Sequence, residues 1–139
     1  MAKELVRIAA VAAAGGFLIQ AAFQAALALG APLGSASWGG AYQGQLPVGL
    51  RIASGVAVVV YVLAALIVVG RAGFRGVPLA RGFVRWGTWV LAVLTFLGAL
   101  ENFASSSGWE RYGWAPFTLI LALLCLFVAL RAGPVSCES

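Results

Sequence analysis

The sequence contains no histidine, one lysine (Lys3), four acidic residues and two cysteines. Without histidine, the chain has no His general base, no His-ligated haem and no histidine ligand for a metal. Two cysteines cannot build a disulfide framework, since Cys125 lies inside an apolar run and Cys137 near the C-terminus. We expect Cys125 to be a small buried residue and Cys137 a free thiol. The sequence therefore predicts neither a metal site nor a bound cofactor.

Charge is scarce throughout the chain. Charged residues make up 9% of the sequence, against about 25% in a typical soluble domain, and the mean hydropathy is +1.01. Apolar runs lie at about 8–29, 48–69, 86–103 and 114–130, each close to the roughly 20 residues that a membrane-spanning helix needs. The composition predicts an all-α membrane protein, a single antiparallel four-transmembrane-helix bundle over residues 1–139.

The ends of these runs carry helix-breaking residues. Gly30-Ala31-Pro32 ends the first run, and Pro47 opens the second at a position where its missing N–H costs little. A cleaved signal peptide is the competing interpretation of the first run, but its apolar core would usually be about 7–15 residues. The second run is rich in valine, yet a chain in lipid must satisfy its own backbone, so a helix is favoured over a strand.

Basic residues are distributed unequally between the connections. Of the nine, all except Arg51 and Arg111 fall on one side of the predicted topology: Lys3, Arg7, Arg71, Arg75, Arg81, Arg85 and Arg131. Positive charge prefers the cytoplasm, so we expect both termini inside and the two aromatic loops outside a bacterial plasma membrane. Because these arginines sit at helix ends and form no single patch, the sequence predicts no nucleic-acid partner.

Inward faces are marked in lipid by small and polar residues. The predicted stripes are Ala9, Ala13, Gly16, Gln20 and Gln24 in the first span, and Arg51, Ser54, Val58, Tyr61 and Ala65 in the second. Those of the third and fourth spans are Gly87, Leu91, Leu94, Gly98 and Glu101, and Thr118, Ala122, Cys125 and Ala129. Gly87 and Gly98 are expected to allow close helix packing.

Two charges, Arg51 and Glu101, fall near the outer ends of neighbouring spans. A lone charge in the hydrocarbon costs about 2.5–3.5 kcal/mol, so we expect these two to form an ion pair. Polar or aromatic side chains expected nearby are Gln24, Ser54, Asn102 and Trp109. Two interpretations remain open: a binding site for a small ligand or lipid headgroup, or a structural clasp between helices. Glu110 and Arg111 are expected to be solvated loop charges.

Several motifs in order resemble a family of small, uncharacterised actinobacterial membrane proteins with four spans. The motifs are Gly30-Ala31-Pro32-x-Gly34 with Gly39-Gly40, Leu50-Arg51-x-x-Ser54, and Asn102-x-x-Ser105-x-Ser107-x-x-Glu110-Arg111-x-x-Trp114-x-Pro116. The resemblance implies a bacterial plasma-membrane protein with functional residues on its outer loops, and it implies no activity. It draws attention to Arg51, Asn102, Glu110, Arg111 and Trp114.

The residues favour a non-enzymatic interaction or accessory module, since no nucleophile–base pair and no set of metal ligands is visible. Its expected partners are membrane lipids and another membrane protein or a second copy of itself. One alternative is an oligomeric small-solute transporter or channel, which requires a continuous polar path. The other is a binder of an outer-leaflet lipid or small molecule at the polar cluster. A sealed bundle favours the module, and a water-filled vestibule favours transport.

Overall fold

The computed structural model describes residues 1–134. Its helices are α1 (Ala2–Ala28), α2 (Val48–Arg71), α3 (Arg81–Ala104) and α4 (Ala115–Arg131), and a π-helical turn, Glu110–Trp114, leads into α4. Short 3-10 turns, Gly34–Ala36 and Trp38–Gly40, lie between α1 and α2. The predicted all-helical fold with four helices able to span a membrane is confirmed, and no strand occurs in the described residues. Cys137 lies outside them.

The four helices form a ring in which each contacts its neighbours. Helix α1 packs against α2 and α4, and α3 packs against α4 and α2. The core between them is built largely from small side chains, with Phe17 and Leu121 as its large members. Large apolar side chains such as Ile19, Val59 and Leu94 are exposed instead. This division suits a protein surrounded by lipid, where leucine gains nothing by facing inward and close packing stabilises the bundle.

Helix α3 buries a different face from the predicted one. Its buried residues are Val84, Thr88, Ala92, Thr95 and Ala99, whereas Leu94 and Glu101 of the predicted stripe are exposed. The Thr88 and Thr95 hydroxyls donate to the carbonyls of Val84 (2.7 Å) and Leu91 (2.6 Å), so their polar atoms are satisfied inside the bundle. The prediction relied on Gly87 and Gly98, and a residue without a side chain does not mark a buried face as strongly as alanine or threonine.

Close helix contact occurs at Gly16 and Gly87, and not at Gly98. A Cβ added to Gly16 would overlap the Leu121 side chain, and one added to Gly87 would lie 3.0 Å from Ile67 Cγ2. At Gly98 the nearest atom, Thr118 Cγ2, would be 3.8 Å away, an ordinary van der Waals distance. The expectation of close approach therefore holds for Gly87 and is wrong for Gly98.

Contacts between helix ends define the two ends of the bundle. At the basic end, the Arg7 guanidinium lies 4.3 Å from the Phe74 ring centroid, and Arg71 donates to the carbonyl of Gly133 at 2.9 Å. These contacts bring together the start of α1, the α2–α3 connection and the chain after α4. At the loop end, the connection of residues 29–47 meets residues 105–110, where the Ser107 hydroxyl donates to the Ser35 carbonyl at 2.7 Å.

Candidate ligand-binding site at the loop end

Glu110 joins the two connections at the loop end. Its side chain is buried, and its two carboxylate oxygens accept the Gly39 N–H at 3.2 and 3.1 Å. The Ser105 hydroxyl donates a hydrogen bond to the same carboxylate. The prediction that Glu110 is a solvated loop charge is therefore wrong. A carboxylate pays less for burial when several donors converge on it, and here two segments supply them. Arg111 is exposed, as expected.

Local backbone chemistry presents these donors to Glu110. Trp38, Gly39 and Gly40 all have left-handed φ angles, of 51°, 74° and 70°, which glycine adopts readily and tryptophan rarely does. On the other side, the Ser107 hydroxyl accepts the Glu110 N–H at 3.4 Å at the start of the helix, a Ser-x-x-Glu capping arrangement. The π turn that follows is a departure from regular helix often found at functional sites.

A cavity of about 550 Å³ opens next to this junction, between the helices. Three kinds of side chain line it. The amides are Gln20, Gln24 and Asn102, the carboxylates Glu101 and Glu110, and the aromatic residues Phe23, Trp38, Tyr61 and Trp114. Within the described residues no arginine or lysine lines the cavity, so its formal charge is negative.

The amides differ in how well they are satisfied. Gln20 Nε2 and Asn102 Nδ2 both donate to the Thr118 hydroxyl oxygen, at 3.3 and 3.4 Å, which links α1, α3 and α4. Gln24 Oε1 is buried and accepts no hydrogen bond from residues 1–134. Glu101 is exposed, and its carboxylate forms no salt bridge or hydrogen bond within the same residues. The cavity therefore offers unused acceptors.

Aromatic rings form part of the wall. Trp114 packs on Phe23 with ring centroids 4.7 Å apart and meets Phe117 edge-on at 5.6 Å. Tyr61 stacks on Phe17 at 6.3 Å. Phe17 and Leu121 are 1% and 2% exposed, and they lie one turn closer to the basic end than Gln20 and Thr118. A packed apolar core thus lies directly next to the polar cavity, on its basic-end side.

Arg51 lies away from this cavity, at the interface of α1 and α2. Its Nε donates to the Ala28 carbonyl at 3.1 Å, one of the last carbonyls of α1, which lack intrahelical donors. No salt bridge joins Arg51 to Glu101 in the described part of the chain, so the predicted ion pair is wrong. The physical reason is that the C-terminus of α1 provides Arg51 with a nearby acceptor, while Glu101 lies on α3 beside the cavity.

The structure brings together five of the nine residues that the sequence singled out: Gln24, Glu101, Asn102, Glu110 and Trp114. It separates the rest from them. Arg51 binds a carbonyl near the C-terminus of α1, and Ser54 is fully buried in α2. Trp109 is 69% exposed, and Arg111 is exposed as well. Sequence reasoning missed Tyr61, Thr118 and Phe23 as members of the site. Tyr61 and Thr118 were on predicted inward stripes, whereas nothing in the sequence signals Phe23.

Comparison with protein-family models, curated proteins and solved structures finds no match to this chain.

Proposed function

We propose that this protein is a non-enzymatic binding module that holds a small cationic ligand in the loop-end cavity. The observation that carries the proposal is the set of unused acceptors there. Gln24 Oε1 is buried without a donor, and the Glu101 carboxylate is unpaired within residues 1–134. A ligand that supplies N–H donors and positive charge satisfies both groups.

Aromatic side chains strengthen the preference for a cation. Phe23, Trp38, Tyr61 and Trp114 line the same cavity as the carboxylates. A ligand cation over an aromatic face gains about 0.5–2 kcal/mol, more when water is excluded. An amine or quaternary ammonium group therefore fits this chemistry, and the volume of about 550 Å³ limits the ligand to a small molecule.

The packed core below the cavity favours binding over passage through the bundle. Phe17, Leu121 and the small residues around them form a continuous apolar cluster toward the basic end. A transporter or channel needs a polar path through that layer. Reconstituted protein is therefore expected to bind an amine without carrying it across a liposome membrane.

We further propose the setting predicted from the sequence: an antiparallel bundle in a bacterial plasma membrane, with both termini and the basic end in the cytoplasm. The arginine and lysine asymmetry supports it. The loop-end cavity then faces outward. Membrane lipids and another membrane protein or a second copy remain the predicted partners, and no nucleic acid is expected. Relationship to the small actinobacterial four-span family also remains a prediction.

Equilibrium dialysis of the purified protein against labelled ethanolamine and choline tests the proposal. We expect saturable binding of at least one of them, and none of ethylene glycol, which resembles ethanolamine without its charge. Glu101→Gln should weaken binding about tenfold, as expected for loss of a charge-assisted contact. Glu4→Gln is the matched control, because Glu4 is exposed at the start of α1.

Binding of neither amine at millimolar concentration would contradict a cationic ligand. Equal losses in Glu101→Gln and Glu4→Gln would show that the amine responds to overall charge and has no site in this cavity.

A further inference from the structure

A second cavity, at the basic end, gathers three arginine side chains. It encloses about 430 Å³ where the end of α2, the start of α3 and the chain after α4 meet. Its lining residues are Arg71, Arg81, Gly82, Arg85, Ala132 and Pro134. None of them is acidic, so the described lining of this cavity carries only positive charge.

Arg71 is the buried member of this group, 8% exposed. Its guanidinium donates to the carbonyls of Gly133 at 2.9 Å, Ala132 at 2.7 Å and Ala129 at 3.5 Å. These carbonyls orient the side chain, and the negative end of the α4 dipole partly offsets its charge. Its Nε–H, however, is buried without an acceptor in residues 1–134. A buried cation with an unused donor is costly unless an anion accompanies it.

The start of α3 adds donors from the backbone. This helix begins at Arg81 after Ala80, and no side chain caps it. The first N–H groups of a helix have no intrahelical acceptor and lie at the positive end of its dipole. Gly82 lines the cavity, and a Cβ added there would meet no atom of residues 1–134 within 4 Å. In this part of the chain, the first turn of α3 is thus open toward the cavity.

We propose that this basic-end cavity binds a phosphate group. Arg71 and Arg85 supply the charged contacts, and the first turn of α3 supplies backbone N–H groups. Helix N-termini and arginine guanidinium groups both suit phosphate, because both present several N–H donors to its oxygens. The phosphate belongs either to the headgroup of an anionic phospholipid or to a soluble compound. Basic cavities between helix ends lie at the depth of lipid headgroups.

Thermal unfolding of the full-length protein in a neutral detergent distinguishes these sources. The probes are dioctanoyl phosphatidylglycerol, dioctanoyl phosphatidylcholine, and sodium phosphate compared with sodium chloride at equal ionic strength. A bound ligand raises the melting temperature in a concentration-dependent way. A rise with phosphatidylglycerol alone assigns the site to an anionic lipid. A rise with sodium phosphate over chloride assigns it to a soluble phosphate. No rise with either probe overturns the proposal.

Two charge reversals locate the effect. Arg85→Glu changes a residue of α3 that lines the cavity, and Arg75→Glu makes the same change at an exposed residue of the α2–α3 connection, outside the cavity. Arg85→Glu should reduce affinity for the effective probe about tenfold or more, while Arg75→Glu should bind as the wild type does. Equal losses in both would mean diffuse attraction to a positive surface and would overturn the proposal.

Folding must be separated from binding in this comparison. Arg71 is not substituted, because its bonds to three carbonyls also hold the end of α4. If Arg85→Glu does not fold, Arg85→Gln and Arg75→Gln replace the pair, since glutamine removes a charge without adding a carboxylate. Retention of full affinity by a folded Arg85→Gln protein would show that Arg85 does not contact the phosphate.

Discussion

At the residue scale, Glu110 shows how a carboxylate is placed inside a hydrophobic protein. It is the first residue of the π-helical turn between α3 and α4, and it is 8% exposed and bonded to Gly39 and Ser105. The left-handed backbone at Trp38 and Gly39 directs an N–H toward it. Glu110 thus orders both connections at the loop end, and through them the rim of the cavity.

Replacement of this carboxylate should therefore loosen the loop end. In Glu110→Ala, the Gly39 N–H and the Ser105 hydroxyl lose their acceptor, which we expect to cost about 1–3 kcal/mol of stability. Hydrogen exchange should accelerate in residues 34–44, and the melting temperature should fall. Glu101→Ala is the control, because that carboxylate has no bonded partner in the described residues. Equal effects of the two substitutions would contradict a special structural role for Glu110.

At the scale of the helix, side-chain size decides more than polarity does which face of a helix is buried in the bundle. Buried faces of α1 and α4 carry Ala9, Ala13, Ala122 and Ala129, as the predicted stripes required. Their small side chains allow the backbones to approach closely. Leu94 and similar residues turn outward because lipid accommodates them as well as a protein core does. We therefore expect the close contact between α1 and α4 to be sensitive to added volume.

Leucine substitutions at Gly16 and Gly15 test how sensitive the α1–α4 contact is to added volume. Gly16→Leu inserts a side chain where even a Cβ would overlap Leu121, whereas Gly15→Leu adds the same atoms where no atom lies within 4 Å. Both changes raise intrinsic helix propensity equally. We expect Gly16→Leu to destabilise the bundle by about 1–3 kcal/mol, the usual cost of overpacking, and Gly15→Leu to be neutral or slightly stabilising. Unfolding curves in mild detergent provide the measurement. Similar curves for both variants would place Gly16 outside the α1–α4 contact.

At the scale of the whole molecule, the two cavities lie at opposite ends and carry opposite charge. The loop-end cavity has carboxylates as its only charged lining among the described residues, and the basic-end cavity has arginines. The apolar core around Phe17 and Leu121 lies between them. In the proposed topology, the negative cavity faces the exterior and the positive cavity faces the anionic cytoplasmic leaflet.

Cysteine labelling tests that orientation. The labelling background carries Cys137→Ser, and its remaining cysteine, Cys125, is buried. In this background, Ser106→Cys places a thiol at an exposed position of the loop end. Ala80→Cys does the same at the basic end. A membrane-impermeant maleimide should label Ser106→Cys in intact cells, and Ala80→Cys only after permeabilisation. The reverse pattern would invert the topology. Ser37, in the other connection at the loop end, is unsuitable for labelling because it is 5% exposed.

The sequence by itself determined the number of membrane-capable helices and the inward faces of α1 and α4. It could do so because apolar run length and small-residue periodicity are local properties of the chain. It also drew attention to the 100–116 stretch that supplies Glu101, Asn102, Glu110 and Trp114 to the loop-end cavity.

Only the tertiary structure decided which polar groups meet. Arg51 and Glu101 are at similar depth in the sequence pattern, yet Arg51 binds the Ala28 carbonyl and Glu101 lines a cavity. Gly39 and Glu110 are far apart in sequence and form a direct hydrogen bond. A charged side chain takes whichever partner the rotation of its helix and the course of the loops bring within about 3 Å. Helix rotation and loop course arise from packing across the whole bundle, which no single stretch of sequence encodes.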